Sequence, residues 1–484
     1  MPGSTARTTN DHGAWSRAEQ TRLARLHALS PTEQDLIRVA NLPGFARWVE
    51  QIRATGGCEH PIYLSGSTVT RDASGAVVSA YSTADEPGER LAVRCRNRRA
   101  SRCAPCSYEH QGDTFQLVRA GLTGGKGVPV VVRDHPCLFV TLTAPSFGAV
   151  HRATDGEPCR PRRERDLCEH GRHRGCPTAH THDDRVVGQP LCRACYAYGH
   201  HTLWNAHVGP LWDGFTRTLR RRLATAAGVQ RAHLRDVVLV TFAKVAEYQA
   251  RGAIHLHAVV RLDGPHGPHS APPAWATDEL LAALVPEAAA AVRVYAPESE
   301  ALGSYVLRWG AQLDVRPLRG FNDGRELADE AVAGYLAKYV TKSTETTGAT
   351  DTRITHRSTI DLLPVTDHVA ALLRTCWDLG GLIELTHLRL RPWAHMLGFR
   401  GHCLSKSRVY STTYGALRAA RADYQRGGDA HLSDNSDRTT LPAWRFVGHG
   451  HTSGQGEIAA GIAHDLRQSR EVVRDDCRTV WAHE

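Results

Sequence analysis

Two apolar runs joined by a glycine-bearing turn constrain this chain most. Residues 237–248, VVLVTFAKVAEY, and 254–262, IHLHAVVRL, read as strands, and QARGA between them has turn chemistry at Gly252. The two runs are expected to pair as a hairpin. Side chains alternate faces along a strand, so His255 and His257 project from one side while Ile254, Leu256, Ala258 and Val260 project from the other. Pairing brings Glu247 beside the histidines. Two imidazoles and a carboxylate that leave coordination positions open suit a divalent cation, Mg2+ or Mn2+, able to polarise a phosphate oxygen. The competing reading of so short a motif is a surface strand with two solvated histidines.

Further along, VAGYLAKYVTK (332–342) has helical periodicity. Tyr335 and Tyr339 are four apart and share a face, so both phenols can approach one point, with Lys338 and Lys342 on the adjacent stripe. The same run also reads as an ordinary core stripe of Val332, Tyr335, Leu336, Tyr339 and Val340. A third segment, LFVTLTAPSFG (138–148), is an apolar strand that could lie central in the same sheet.

In this order, the three segments resemble the motifs of the HUH endonuclease superfamily: an apolar strand, a His-hydrophobic-His strand and a tyrosine-bearing helix. More closely, RCRNRRASRCAPC, FVTLTAPSFG, LWNAHVGPLW, FAKVAEYQARGAIHLH, RWGAQLDVRP and RPWAHMLGFRG are similar to the RepSA-type rolling-circle replication initiators of actinobacterial plasmids. The resemblance implies an α+β fold. It would have an HUH core of central antiparallel sheet flanked by helices, inserted zinc-binding modules and a helical C-terminal region. It also implies a metal-dependent nickase. His255, His257 and Glu247 would hold the catalytic cation, and Tyr335 or Tyr339, aided by Lys338 or Lys342, would attack phosphorus. The products would be a 5′-phosphotyrosine link and a free 3′ hydroxyl. Tyr339 is expected to be at least one competent nucleophile. The implied partners are plasmid origin DNA, single-stranded at the nick, and a host helicase and polymerase. A relaxase or transposase would share this chemistry, and a non-catalytic zinc-containing DNA-binding regulator is the reading from a different class.

Bulk properties agree with a DNA partner. The 484 residues carry a formal charge of +9, which favours a polyanion. No apolar run approaches the ~20 residues of a membrane span, and the first residues lack a hydrophobic signal core, so a cytoplasmic location is expected. Under reducing conditions clustered cysteines read as metal sites rather than disulfides. Cys103 and Cys106 have zinc-knuckle spacing, and Cys95 lies close by. PIYLSG and RLAVRC, paired antiparallel, would add Cys58, with His110 as the alternative fourth ligand. Farther on, Cys168, Cys176, Cys192 and Cys195 form the simplest second set, with Cys159, His170 and His173 as alternatives. About two structural Zn2+ ions are therefore expected.

The expected organisation is an N-terminal tail and amphipathic helix (1–45), a zinc module (46–130) and an endonuclease domain (131–345) with a cysteine- and histidine-rich insertion at 150–200. A helical, basic region (346–430) and a polar, Gly-rich flexible tail (431–484) follow. Residues 276–294 read as a helix broken near Pro286.

Overall fold

The computed structural model describes residues 17–161, 166–318, 326–340, 350, 352–425 and 438–481. The described residues begin with three short helices, α1 (Arg17–His27), α2 (Pro31–Ala40) and α3 (Phe45–Ala54). Ser30 and Glu33 cap α2 reciprocally, satisfying two of the amides that a helix start leaves orphaned. Strands β1 (Ile62–Arg71), β2 (Val77–Ser82) and β3 (Leu91–Val93) precede α4 (Ala104–Thr123) and β4 (Cys137–Leu142). After a long irregular segment come α5 (Tyr198–Ala206), α6 (Val208–Ala226), β5 (Leu239–Tyr248), β6 (Ile254–Asp263) and α7 (Asp278–Ala291). Next are β7 (Val294–Tyr295), β8 (Val306–Leu307), β9 (Leu313–Pro317), α8 (Glu326–Val340) and α9 (Asp367–Leu379). The chain closes with β10 (Leu404–Lys406), α10 (Tyr414–Gln425), β11 (Thr439–His449) and α11 (Ser453–Trp481).

These elements divide into two units, residues 1–108 with 431–484, and residues 109–430. In the first, β1 pairs antiparallel with β2, β3 and β11. A small core of Val39, Trp48, Ile52, Tyr63, Ala92, Ala459 and Ile462 joins α2 and α3 to α11. Gly57, at φ +72°, lets α11 come close: a Cβ there would lie 2.7 Å from the Ala459 carbonyl oxygen. The structure therefore corrects the expected flexible tail over residues 439–481. Their polar composition hides a strand satisfied by pairing with β1, Ile62 opposite His449, a partner far away in sequence.

The second unit is built on a five-stranded antiparallel sheet in the order β10-β5-β6-β4-β9. Because both faces of the sheet are covered, one by each of two cores, the central β6 is buried almost throughout. Its even-numbered residues, Ile254, Leu256, Ala258, Val260 and Leu262, join one core with Leu138, Val140, Leu142, Trp204 and Phe215. On the other face, Val259 packs with Leu117 and Val118 of α4 and with Ala333, Leu336 and Val340 of α8. The mixture of helix and antiparallel sheet agrees with an α+β class. Helix α7 runs unbroken through Pro286 rather than ending there, held by its buried stripe of Leu281, Val285, Ala288 and Ala289. No helix among the described residues is long and apolar enough to cross a membrane.

Candidate active site and metal centres

The hairpin turn at Gly252 is locked from below by Asn205 of α5. Its amide nitrogen donates to the carbonyls of Gly252 and Leu397 at 3.0 Å, and its oxygen accepts from the Ile254 amide at 3.2 Å. That fixes the register in which Glu247 stands opposite His255, and Val245 opposite His257. A slip of one residue would send both histidines to the apolar face. His257 is also opposite Thr141 of β4, whose hydroxyl lies 3.0 Å from Nδ1. Its Nε2 is 2.8 Å from the Glu247 carboxylate, and its ring stacks parallel to Phe139.

Helix α8 brings the two tyrosines to this face. Its buried stripe is Ala333, Leu336, Ala337 and Val340, and the tyrosines sit at the margin of that stripe rather than in it. Tyr335 is 37% exposed, so its phenol faces solvent as well as the sheet. The Tyr335 hydroxyl is 3.4 Å from His257 Nε2, and the two tyrosine rings are 4.6 Å apart. Burial, with the Glu247 carboxylate and Tyr339 adding to it, holds the Tyr335 phenol well above its ordinary range. Tyr339 is raised too, by burial and by Glu247, while Tyr335 pulls the other way. Lys338 is exposed on the next stripe, and Lys342 lies outside the described residues.

His255 completes the face. Its ring is 6.0 Å from that of His257, and its buried Nε2 has no hydrogen-bond partner. Burial, with His257 and Arg251 nearby, pushes it down to about 3, so the imidazole is neutral with a lone pair available. Sequence reasoning passed over Thr141, Phe139, Asn205 and Arg251. The Arg251 guanidinium ties the turn to β4's continuation through the Ala144 and Pro145 carbonyls, at 3.1 and 3.0 Å. A turn arginine and a helix asparagine carry no motif of their own.

Two further histidines brace this turn. His368 Nε2 donates to the Arg251 carbonyl at 3.0 Å, and His201 stacks on Phe147 at 4.7 Å. Burial holds His368 down at about 4 and His201 well below 6.5. Both are neutral when folded, whereas the unfolded chain takes up their protons as pH falls below 6.5. Their contribution to stability is therefore complete above that pH and lost as pH drops toward 4. Melting temperature should fall steadily over this window, and a flat profile there would count against neutral burial.

Among the described residues, three sets of four donors each gather within 4.8 Å. The first is Cys58, Cys95, Cys103 and Cys106. Antiparallel pairing of β1 with β3, Ile62 opposite Val93, sets Cys58 beside Cys95, and α4 begins between Cys103 and Cys106. Cys58 Sγ lies 3.8 Å from Cys103 and 3.6 Å from Cys106, close to the ~3.8 Å edge of a tetrahedral zinc-thiolate site. The second set is Cys168, His170, Cys192 and Cys195. Cys176, expected with these cysteines, is elsewhere: its backbone bridges to Arg160 and carries it to His151, Cys159 and His180, the third set. Donors of Glu247, His255 and His257 are not drawn so tightly together.

Comparison with known proteins gives this arrangement a class, that of replication initiators. The chain belongs to the RepSA family: the family model described as the replication initiator protein of pSAM2 matches residues 44–464. A curated relative from Streptomyces ambofaciens, named Replication initiator protein, is 47% identical over 462 residues, covering 93% of this chain and 97% of its own length. No solved structure matches.

Proposed function

We propose that this chain is an HUH-type nickase that initiates rolling-circle replication of a plasmid by cutting origin DNA. The observation that carries this reading is the Tyr335 hydroxyl at 3.4 Å from His257 Nε2, on a sheet face that also presents Glu247 and His255. The phenol oxygen forms a bond to phosphorus and the 3′ oxygen leaves, taking up a proton. One phosphoester replaces another, so the cut needs no external energy, and the 3′ hydroxyl is left to prime synthesis.

The residues fit a divalent cation such as Mg2+ or Mn2+, because the orphaned Nε2 of His255 and the pair of His257 with Glu247 form a mixed imidazole and carboxylate set. When bound, it would supply Lewis-acid polarisation of the scissile phosphate. Thr141 holds the His257 ring, and Asn205 holds the register of both histidines. Burial first, and the Glu247 carboxylate after it, raise both phenols further above the ordinary phenol range, so a cation compensating Glu247 would ease their ionisation. Exposed Lys338 lies one residue from Tyr339 and could favour the phenolate. The first two cysteine-rich sets are read as structural zinc sites, with Cys176 replaced by His170 in the second. Origin DNA, single-stranded at the nick, is the substrate, and the +9 charge favours it. A host helicase and polymerase would follow in the cytoplasm.

The test is incubation with supercoiled plasmid bearing the cognate origin and Mg2+ or Mn2+. Nicked circles with protein on the 5′ end are expected. The His255→Ala/His257→Ala variant should lose nicking by at least two orders of magnitude yet still bind duplex origin. Binding with no covalent product from the wild type would instead make the chain a non-catalytic regulator.

A further inference from the structure

Between β4 and α5 the chain has no regular helix or strand among the described residues, and none of residues 151–195 joins a hydrophobic cluster. A segment of that kind cannot hold its shape by burying apolar surface and needs another staple. The geometry points to a third zinc site, formed by His151, Cys159, Cys176 and His180, which anchors the tip of the β5–β6 hairpin. This inference does not depend on the chemistry of the tyrosines.

The donor atoms have the spacing of an ion's ligands. His151 Nδ1 is 3.2 Å from His180 Nε2, Cys176 Sγ is 3.4 Å from the same Nε2, and Cys159 Sγ is 3.9 Å from His151 Nδ1. Tetrahedral zinc with ordinary bond lengths separates two nitrogens by about 3.3 Å and a nitrogen from a sulfur by about 3.6 Å. Cys159, Cys176 and His180 are buried, at 0%, 8% and 6% exposure. Two features surround them as they surround ligands. His180 turns its other nitrogen to the Asp184 carboxylate at 2.8 Å, the orienting contact of a metal-bound imidazole. The Arg152 amide donates to Cys159 Sγ at 3.2 Å, a backbone contact that orients the sulfur.

From these ligands the backbone runs straight to the hairpin. Asp184 also accepts from the Val186 amide, at 3.1 Å, and its carbonyl accepts from Val187, at 3.0 Å, shaping the turn before Gly188. Gly188 donates to the His151 carbonyl at 2.8 Å, and His151 donates to Gln189 at 2.8 Å. A Cβ on Gly188 would lie 2.4 Å from the Ala250 carbonyl carbon, so this glycine rests directly on the Ala250–Arg251 peptide. That peptide is the crown of the turn between Glu247 and His255.

The decisive measurement is on freshly purified, reduced, full-length protein. Elemental analysis should find about three zinc ions per chain, and cadmium-113 NMR of the substituted protein should show three resonances. One of them should have the shift of a two-sulfur, two-nitrogen site, and the others those of four-sulfur and three-sulfur, one-nitrogen sites. Absence of the two-sulfur, two-nitrogen resonance overturns the site even if the variants below do not fold. The Cys159→Ser/Cys176→Ser variant should lose one zinc, keep the other two and exchange the Gly252 amide faster. Unchanged zinc content would overturn the assignment. Asp184→Asn should bind this zinc about 10–100-fold more weakly, and unchanged retention against a chelator would remove the carboxylate from the site.

Discussion

The double variant Tyr335→Phe/Tyr339→Phe should form no covalent DNA adduct, while folding and origin binding persist. Phenylalanine keeps the ring that packs beside Phe139 and His257 and removes only the hydroxyl. The loss should therefore be chemical, at least a thousandfold in nicking, with little change in melting temperature. Single variants separate two schemes. Where both tyrosines take the strand in turn, each single variant still cleaves but fails to complete termination. Where one tyrosine acts, one variant is dead and the other nearly normal. The Tyr335 hydroxyl lies 3.4 Å from His257 Nε2 and the Tyr339 ring stacks on His257 at 6.0 Å, so both tyrosines border the same imidazole. Mass spectrometry of the DNA-linked peptide decides, and an adduct outside residues 335–339 would sink the active-site reading.

The largest loss of stability is expected from Asp263→Ala. On the histidine-bearing face, at the far end of β6, the fully buried Arg261 guanidinium is paired with Asp263 at 2.7 and 2.9 Å. His135 Nδ1 lies 2.7 Å from the same carboxylate, and the Thr241 hydroxyl donates to it at 2.9 Å. Arg261 also donates to the carbonyls of Gly121 and Tyr410. Removing the carboxylate strands a cation where water cannot reach it, which costs about 3–5 kcal/mol. Chemical denaturation should show that loss, and a change under 1 kcal/mol would mean that water or the backbone carbonyls compensate the arginine. Replacing both residues with apolar ones should cost less than the single change, because no charge is then left unpaired.

The hairpin and the shared face of His255 and His257 were legible because both follow from short-range rules: a period of two and a glycine turn. The placing of Cys58 beside Cys95 was legible for the same reason, since a nearby strand pair sets it. The second cysteine group was not. Where no strand or helix fixes direction, spacing does not say which cysteines meet, and Cys176 goes with two histidines, His151 and His180, that look like surface residues in a polar stretch. Nor did composition reveal β11, because strand pairing across most of the chain leaves no local trace. The position of α8 was open for a different reason. Its tyrosines fit a core stripe as well as a site, and only packing of Ala333 and Ala337 shows which face is buried.

The pairing of β1 with β11 has a consequence for synthesis. Residues near the start of the chain form a complete sheet only when residues 439–449 have left the ribosome, and His451 then hydrogen-bonds the Cys58 carbonyl at 2.9 Å, beside the first cysteine set. A chain cut short before β11 would expose the long edge of β1 to other chains. Such fragments would be prone to associate through that edge.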